Sequence, residues 1–196
     1  MSTTRELPLD ARERLDLCDL LDDLGPDAPT LCEGWTTLDL AAHLVLREHF
    51  SKWTEPKLTV EKAKGLPALT ARLRAGAPLI PWRIPGLRNL LNGTEYLIHH
   101  EDIRRANGLA PRTDRPDLDK IAWATARLTA WGTARKIRPH GLELRTPAGE
   151  TRHYGPAGGA VLTGAPVELL LYLSGRREAA LAELTGDPEA VTALDD

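Results

Sequence analysis

The chain is poor in the residues that brace a protein covalently or carry it into a membrane. Among 196 residues there are two cysteines, Cys18 and Cys32. Two thiols cannot form a disulfide framework or supply the Cys₄ or Cys₂His₂ set of a structural zinc site within one chain. Any metal is therefore expected on histidine and carboxylate. Long apolar runs are also missing. The longest candidate, 167–173, contains Glu168 and falls short of the ~18–20 residues of a membrane span. Residues 1–10 are polar and lack an apolar core, so no secretory signal is expected. The cytoplasm is the expected compartment, with both thiols reduced. Nor does one sign of charge dominate: 25 Lys and Arg stand against 28 Asp and Glu, net −3. A nucleic-acid binder would need a basic domain with aromatic or motif support, and neither is visible. No nucleic acid and no membrane is expected as a partner.

What is present fits a globular chain that builds its own core. Apolar residues make up 42% and charged residues 27%, which excludes a disordered or collagen-like class. The length suits one ordinary domain, or a larger one with a smaller one, and needs no staple. Charge is uneven along it. Residues 1–33 carry 3 basic and 9 acidic side chains, and residues 34–115 carry 13 and 8. The surplus gathers in 62–94, where Lys62, Lys64, Arg72, Arg74, Arg83 and Arg88 stand with no acid between them. Such a stretch is either a solvated face or a local field for a small anion.

Hydropathy predicts helices first and strands late. Asp10 and Glu13 read as a capping box for a helix over 11–24, stopped by Gly25-Pro26. Thr36, with Asp39 three residues on, caps a helix over 37–53 that Pro56 limits. A shorter helix is expected over 67–74. The three prolines Pro78, Pro81 and Pro85 make 76–86 a long crossover loop. Helices follow over 87–106 and 117–136, the latter with Ile121, Trp123, Ala124, Leu128 and Trp131 available as a packed stripe. After Pro139 the period changes. Strands are expected over 142–145 and 151–154 around a Pro147-Ala148-Gly149 hairpin, then over 160–163 and 182–185, with helices over 166–174 and 188–194. The predicted fold is mainly α: a four-helix bundle over 1–138 with one long crossover, then a small α+β domain over 139–196.

One constellation carries chemistry. Glu95 and His99 are four apart within one helix, so they share a face one turn apart. His43 lies mid-helix between Ala42 and Leu44. A His₂Glu set with one position left open is the arrangement of a catalytic rather than a structural zinc site. Asp102, one turn past His99, and Asp39, one turn before His43, are each placed to orient a ring through its other nitrogen; Asp39 has the Thr36 cap as its alternative. Spacing alone leaves the bland readings open, an exposed Glu/His pair and a satisfied core histidine.

Residues 33–44, Glu-Gly-Trp-Thr-Thr-Leu-Asp-Leu-Ala-Ala-His-Leu, resemble the GWT-x-x-D-L-x-x-H-L segment of the mycothiol-dependent maleylpyruvate isomerase family. Residues 92–103, with Glu95, His99 and Asp102, resemble that family's second metal segment, Glu-x₃-His followed closely by Asp. Wider DinB-like bundles generally carry His-x₃-His there, so Glu95 matches the isomerase branch. Residues 164–176 are similar to the segment ending the family's C-terminal domain. The resemblance implies a DinB-like bundle in which His43, Glu95 and His99 hold a divalent metal, zinc foremost. It further implies mycothiol or a similar low-molecular-weight thiol as cosubstrate. The metal lowers the thiol's pKa, the thiolate adds to an activated double bond, the adduct rotates, and elimination gives the trans isomer. Related members transfer the thiol to an electrophile. The implied activity is thus isomerase or S-transferase, on a small electrophilic substrate, as a monomer or homodimer.

An anionic substrate would need cations. Arg83 and Arg88 are the candidates by position; the family's C-terminal arginine does not map onto Arg176 or Arg177 in particular, and the chain is short for the isomerase. The remaining residues read as structural. His100 points about 100° away from His99 and is expected to be solvated or to support the site. His49 is expected at the surface, and His140 and His153 show no partner set. Cys18 and Cys32 read as small packing residues. Trp35, Trp53, Trp82, Trp123 and Trp131 read as anchors, with Trp82 the one to watch at a pocket mouth. Two further classes of function stand beside the enzyme: a non-catalytic metal-binding or sensing protein, and a structural bundle that holds no metal.

Overall fold

The computed structural model describes residues 7–48, 54–76, 92–113 and 115–195. They are mainly helical, with one small sheet late in the chain, in the predicted order. Residues 77–86 of the expected crossover, with Trp82 and Arg83, lie outside the described residues, as do Arg88, His49 and Trp53. By contact the chain divides into two compact units, Met1–Thr113 and Asp114–Asp196. The change of period after Pro139, on which the expected division into 1–138 and 139–196 rests, is the change from helix to strand within the second unit.

The first unit holds α1 (Leu9–Leu24), α2 (Thr37–Glu48), α3 (Glu55–Lys62), α4 (Leu66–Ala75) and α5 (Thr94–Ala106). Leucines at three- and four-residue spacing give each of α1, α2 and α4 an apolar stripe. Leu17 and Leu21, Leu40 and Leu44, and Leu69 and Leu73 interlock with Tyr96 and Ile103 in one core. α1 packs against α4 and α5, and α2 against α3 and α4. Pro56 stands in the first turn of α3, where its missing N–H leaves no bond unmade.

The predicted capping box of α1 is not formed. The helix opens at Leu9 after Pro8 without a side-chain cap, and Asp10 and Glu13 are buried. Glu13 instead receives His100 Nδ1 at 2.9 Å and Arg112 Nη1 at 2.6 Å on one oxygen. Arg112 Nε donates to Glu101 at 2.8 Å, and Arg105 Nε to the other Glu101 oxygen at 3.0 Å. Burial raises the Glu13 carboxyl's pKa, but His100 and Arg112 outweigh it and hold the group below the usual carboxylate range. His100 is therefore buried rather than solvated: its Nδ1 contact with Glu13 joins α5 to α1. With His100 turned to α1, His99 faces about 100° around the helix.

In the second unit, α6 (Pro116–Lys136) precedes β1 (Leu142–Arg145), β2 (Thr151–Tyr154), β3 (Ala160–Thr163), α7 (Pro166–Leu173), β4 (Glu183–Gly186) and α8 (Pro188–Asp195). The sheet order is β2-β1-β3-β4, with β1 and β3 parallel and the outer pairs antiparallel. The hairpin forms where expected; Gly149, at φ 86, donates to Thr146 O at 2.9 Å. Leu142 and Leu144 stand in register with Ala160 and Leu162 on one buried face.

The stripe expected on α6 is wrong in part. Leu128 and Trp131 are 63% and 55% exposed, and the buried line is Leu118, Ile121, Ala122, Ala126, Ala130 and Ala134. Alanines let α6 approach α7, whose Leu169, Leu170 and Leu171 are all buried. A period of 3.6 admits both lines, and local hydrophobicity selects the bulkier one, whereas packing volume selects the smaller.

Two outcomes are expected. Ala126→Leu overpacks the α6–α7 contact and lowers stability by about 1–3 kcal/mol, whereas Leu128→Ala stays within about 0.5 kcal/mol; urea unfolding reads both. Glu13→Gln leaves Arg112 and His100 short of their shared carboxylate and costs about 3–5 kcal/mol. Because folded Glu13 titrates below its unfolded value, its contribution is full above the ordinary carboxylate value and is lost as pH falls through the folded one. Urea midpoints measured down a pH series fall for the native chain, and Glu13→Gln lacks that part of the fall.

Candidate metal centre

The candidate site lies between α2 and α5 of the first unit. α2 starts at a Thr36–Asp39 cap: the Thr36 N–H and hydroxyl both donate to Asp39 Oδ2, at 3.0 and 2.9 Å. Lys62 pairs with the other Asp39 oxygen. Burial works against ionisation of Asp39, but the Lys62 and Thr36 bonds prevail and hold its pKa low. Asp39 is thus engaged in starting the helix. One turn on, His43 carries a ring whose side chain is 15% exposed, set 5.2 Å from the Trp35 ring between centroids. Its Nδ1 is buried and has no hydrogen-bond partner among the described residues.

On α5 the i, i+4 pair meets that ring. His43 Nε2 lies 3.6 Å from Glu95 Oε1, and His99 Nε2 lies 3.3 Å from the same oxygen. The two imidazoles are edge to face with centroids 5.4 Å apart. The ligand atoms of His43, Glu95 and His99 all fall within 4.8 Å of one another. A tetrahedral zinc with bonds of ~2.0–2.1 Å sets neighbouring N and O ligands about 3.3–3.4 Å apart, and the two separations from Glu95 Oε1 lie near that edge. The donor chemistry, two imidazoles and a carboxylate, also suits a borderline cation.

The electrostatics favour a charged Glu95. Burial raises its pKa, but hydrogen bonds from His43 and His99 and the positive charge of Arg47 outweigh that and hold the carboxyl well below the usual range. Arg47 Nε lies 3.2 Å from Glu95 Oε1, and its Nη1 donates to Asn92 Oδ1 at 2.9 Å. Arg47 follows His43 by four residues, which was a readable signal for a side chain on the same face. Beside it, Tyr96 donates to the buried Glu48 carboxylate, and burial raises the Tyr96 pKa far above its ordinary value.

Asp102 is placed as the spacing predicts. Its Oδ2 lies 2.9 Å from His99 Nδ1, with Asp102 fully buried. Burial disfavours a charged His99, but the contacts with Asp102, Cys32 and Glu95 prevail, and its pKa is raised. Cys32 is the residue that the sequence did not place: it packs against the core as expected and also reaches the site. Its Sγ lies 3.3 Å from the same Asp102 oxygen and 3.9 Å from His99 Nδ1. A local turn sets it there. Trp35 N donates to Cys32 O at 2.9 Å, and Gly34 takes φ 74 within the turn. The loop is tied to α5 at two points, Leu31 N to Asp102 O at 3.2 Å and Asn107 Nδ2 to Pro29 O at 3.0 Å.

The other histidines stand elsewhere. His153 Nε2 bonds Gly155 O at 2.9 Å, and His140 Nδ1 comes within 3.9 Å of Asp187 in the second unit. Arg176 Nη1 donates to Ser174 O at 2.7 Å, and Arg177 lies over the Tyr172 ring at 5.9 Å. No helix among the described residues is long and apolar enough to cross a membrane.

No family model and no curated protein matches the chain. Two solved structures do. A crystal structure of the mycothiol-dependent maleylpyruvate isomerase aligns over 97% of this chain and 99% of that one, at TM-score 0.60 and 19% identity. A histidine-to-alanine mutant of the isomerase aligns over the same shares at TM-score 0.58 and 20% identity. The chain therefore has the fold of the mycothiol-dependent maleylpyruvate isomerase structures, the fold that its two helical segments imply.

Proposed function

We propose that the protein binds a divalent metal, zinc foremost, through His43, Glu95 and His99, and uses it with a small thiol such as mycothiol. The reaction is isomerisation of a small electrophile or transfer of the thiol to it. The observation that carries the reading is the convergence of three donor atoms from α2 and α5, all within 4.8 Å of one another. The shared fold adds the thiol, since the similar structures are of a mycothiol-dependent enzyme.

Zinc held there supplies a Lewis acid that makes a bound thiol a thiolate at neutral pH. The chain's own residues prepare that chemistry. Glu95 is held ionised, so it needs no deprotonation to ligate. Asp102 accepts the Nδ1 proton of His99, so the Nε2 side, turned toward Glu95 and His43, is the one that would ligate once its proton is lost. The Trp35 ring walls His43 and limits its swing. Arg47 balances the negative charge of Glu95 while no cation does. Three protein ligands leave a fourth position for the thiol. A carboxylate on the substrate would be met by cations, and Arg83 and Arg88 carry that part of the proposal from their place in the sequence.

Metal analysis and isothermal calorimetry test the ligand set. The native chain is expected to take one zinc per molecule, folded His43→Ala to lose it, and Asp102→Asn to bind it ~10–100-fold more weakly. Full zinc in His43→Ala refutes the assignment. Calorimetry with mycothiol tests the activity: the zinc-loaded chain is expected to bind the thiol and the metal-free chain not to. A zinc-loaded chain that takes no thiol at millimolar concentration would instead be a metal-binding or sensing protein on this fold.

A further inference from the structure

We infer that the reverse side of His99 is a second cation seat, formed by Cys32 Sγ, His99 Nδ1 and Asp102 Oδ2, and open to a thiophilic ion such as cadmium. The three donor atoms are mutually close: 3.3 Å from Cys32 Sγ to Asp102 Oδ2, 3.9 Å from Cys32 Sγ to His99 Nδ1, and 2.9 Å from His99 Nδ1 to Asp102 Oδ2. A tetrahedral ion with a metal–sulfur bond of ~2.3 Å and N and O bonds of ~2.0–2.1 Å spaces such donors about 3.3–3.6 Å apart. On that scale the edges to sulfur are met within about 0.4 Å, and the Nδ1–Oδ2 edge, closed by a hydrogen bond, opens by about 0.4 Å around an ion. The thiolate gives this seat a soft donor that the His43, Glu95 and His99 set lacks. The seat departs from the expectation that metal would rest on histidine and carboxylate alone.

His99 makes the two sets exclusive. A neutral imidazole has one ring proton and one lone pair. When the proton is on Nδ1, Asp102 accepts it, and Nε2 is free to join Glu95 and His43. When the proton is on Nε2, Glu95 Oε1 stands 3.3 Å away to accept it, and Nδ1 is free to join Cys32 and Asp102. Each set thus contains the carboxylate that holds the ring proton while the other set is filled. Filling the second seat of the metal-free chain releases the Cys32 thiol proton and the His99 Nδ1 proton to solvent and leaves the Nε2 proton on the ring, facing Glu95 Oε1. A thiophilic ion so bound withdraws His99 from the first set. The inference rests on these donor atoms and not on the thiol-dependent reading.

Cadmium titration of the reduced, metal-free full chain tests it, followed by the ultraviolet thiolate-to-cadmium charge-transfer band. Cys18, the other cysteine, is fully buried in the core, and burial pushes its thiol up to about 12, so the band reports Cys32. The band is expected to saturate at one cadmium per chain in the native protein and in folded His43→Ala, and to be lost in Cys32→Ser. The His43→Ala arm separates this inference from the zinc site, which that substitution removes. Absence of the band in the native chain overturns the inference, as does its survival in Cys32→Ser or its loss in folded His43→Ala. Alkylation of the native chain by iodoacetamide gives a second readout that needs no variant. Cadmium is expected to protect Cys32, and unchanged alkylation overturns the seat.

Discussion

The contact between His99 Nδ1 and the buried Asp102 carboxylate, at 2.9 Å, orders the candidate site. A carboxylate that is fully buried must be satisfied, and only a few donors are within reach. His99 and the Cys32 thiol share one oxygen, and the loop that carries Cys32 is tied to the Asp102 backbone. One acid therefore sets the orientation of an imidazole on its own helix and the seating of a loop from another part of the chain. Through that imidazole it also decides which ring nitrogen faces Glu95 and His43.

The opposite flank of α5 is held by a different device. Glu13, His100, Glu101, Arg105 and Arg112 form a buried charged network in which each carboxylate meets at least one cation. Buried ion pairs add little net stability against an apolar alternative, but they penalise any arrangement that breaks them. Here that penalty fixes the rotation of α5 against α1. A turn of α5 by one residue, about 100°, would carry His99 away from His43 and Asp102 away from Cys32. The site is thus held in register by charge on one flank and by the loop and α2 on the other.

Local signals read well where the outcome depended on neighbours in sequence. The Thr36 cap, the 147–149 hairpin and the shared face of Glu95 and His99 all follow from spacing within one turn. They failed where a distant partner competed. Glu13 was expected at a helix cap, but Arg112 and His100 offer a buried carboxylate more than a backbone N–H does. Leu128 and Trp131 were expected inside α6, but the volume available against α7 accepts alanine. Cys32 carries no spacing signal toward residues some seventy positions away, so its place beside Asp102 was not legible.

The sequence by itself determined the class of the fold, the positions of the principal helices, and the pairing of Glu95 with His99, because hydropathy period, capping and i, i+4 geometry act within a few residues. Resemblance in two short segments named His43 as the third member. Only the tertiary structure decided that His43 comes within 3.6 Å of Glu95, that Arg47 lies beside that carboxylate, and that Cys32 shares an oxygen with His99. Those contacts join α2, α5 and the 29–35 loop, and their lengths follow from how whole elements pack. No local rule states them, since each depends on core volume and on which buried charges find partners.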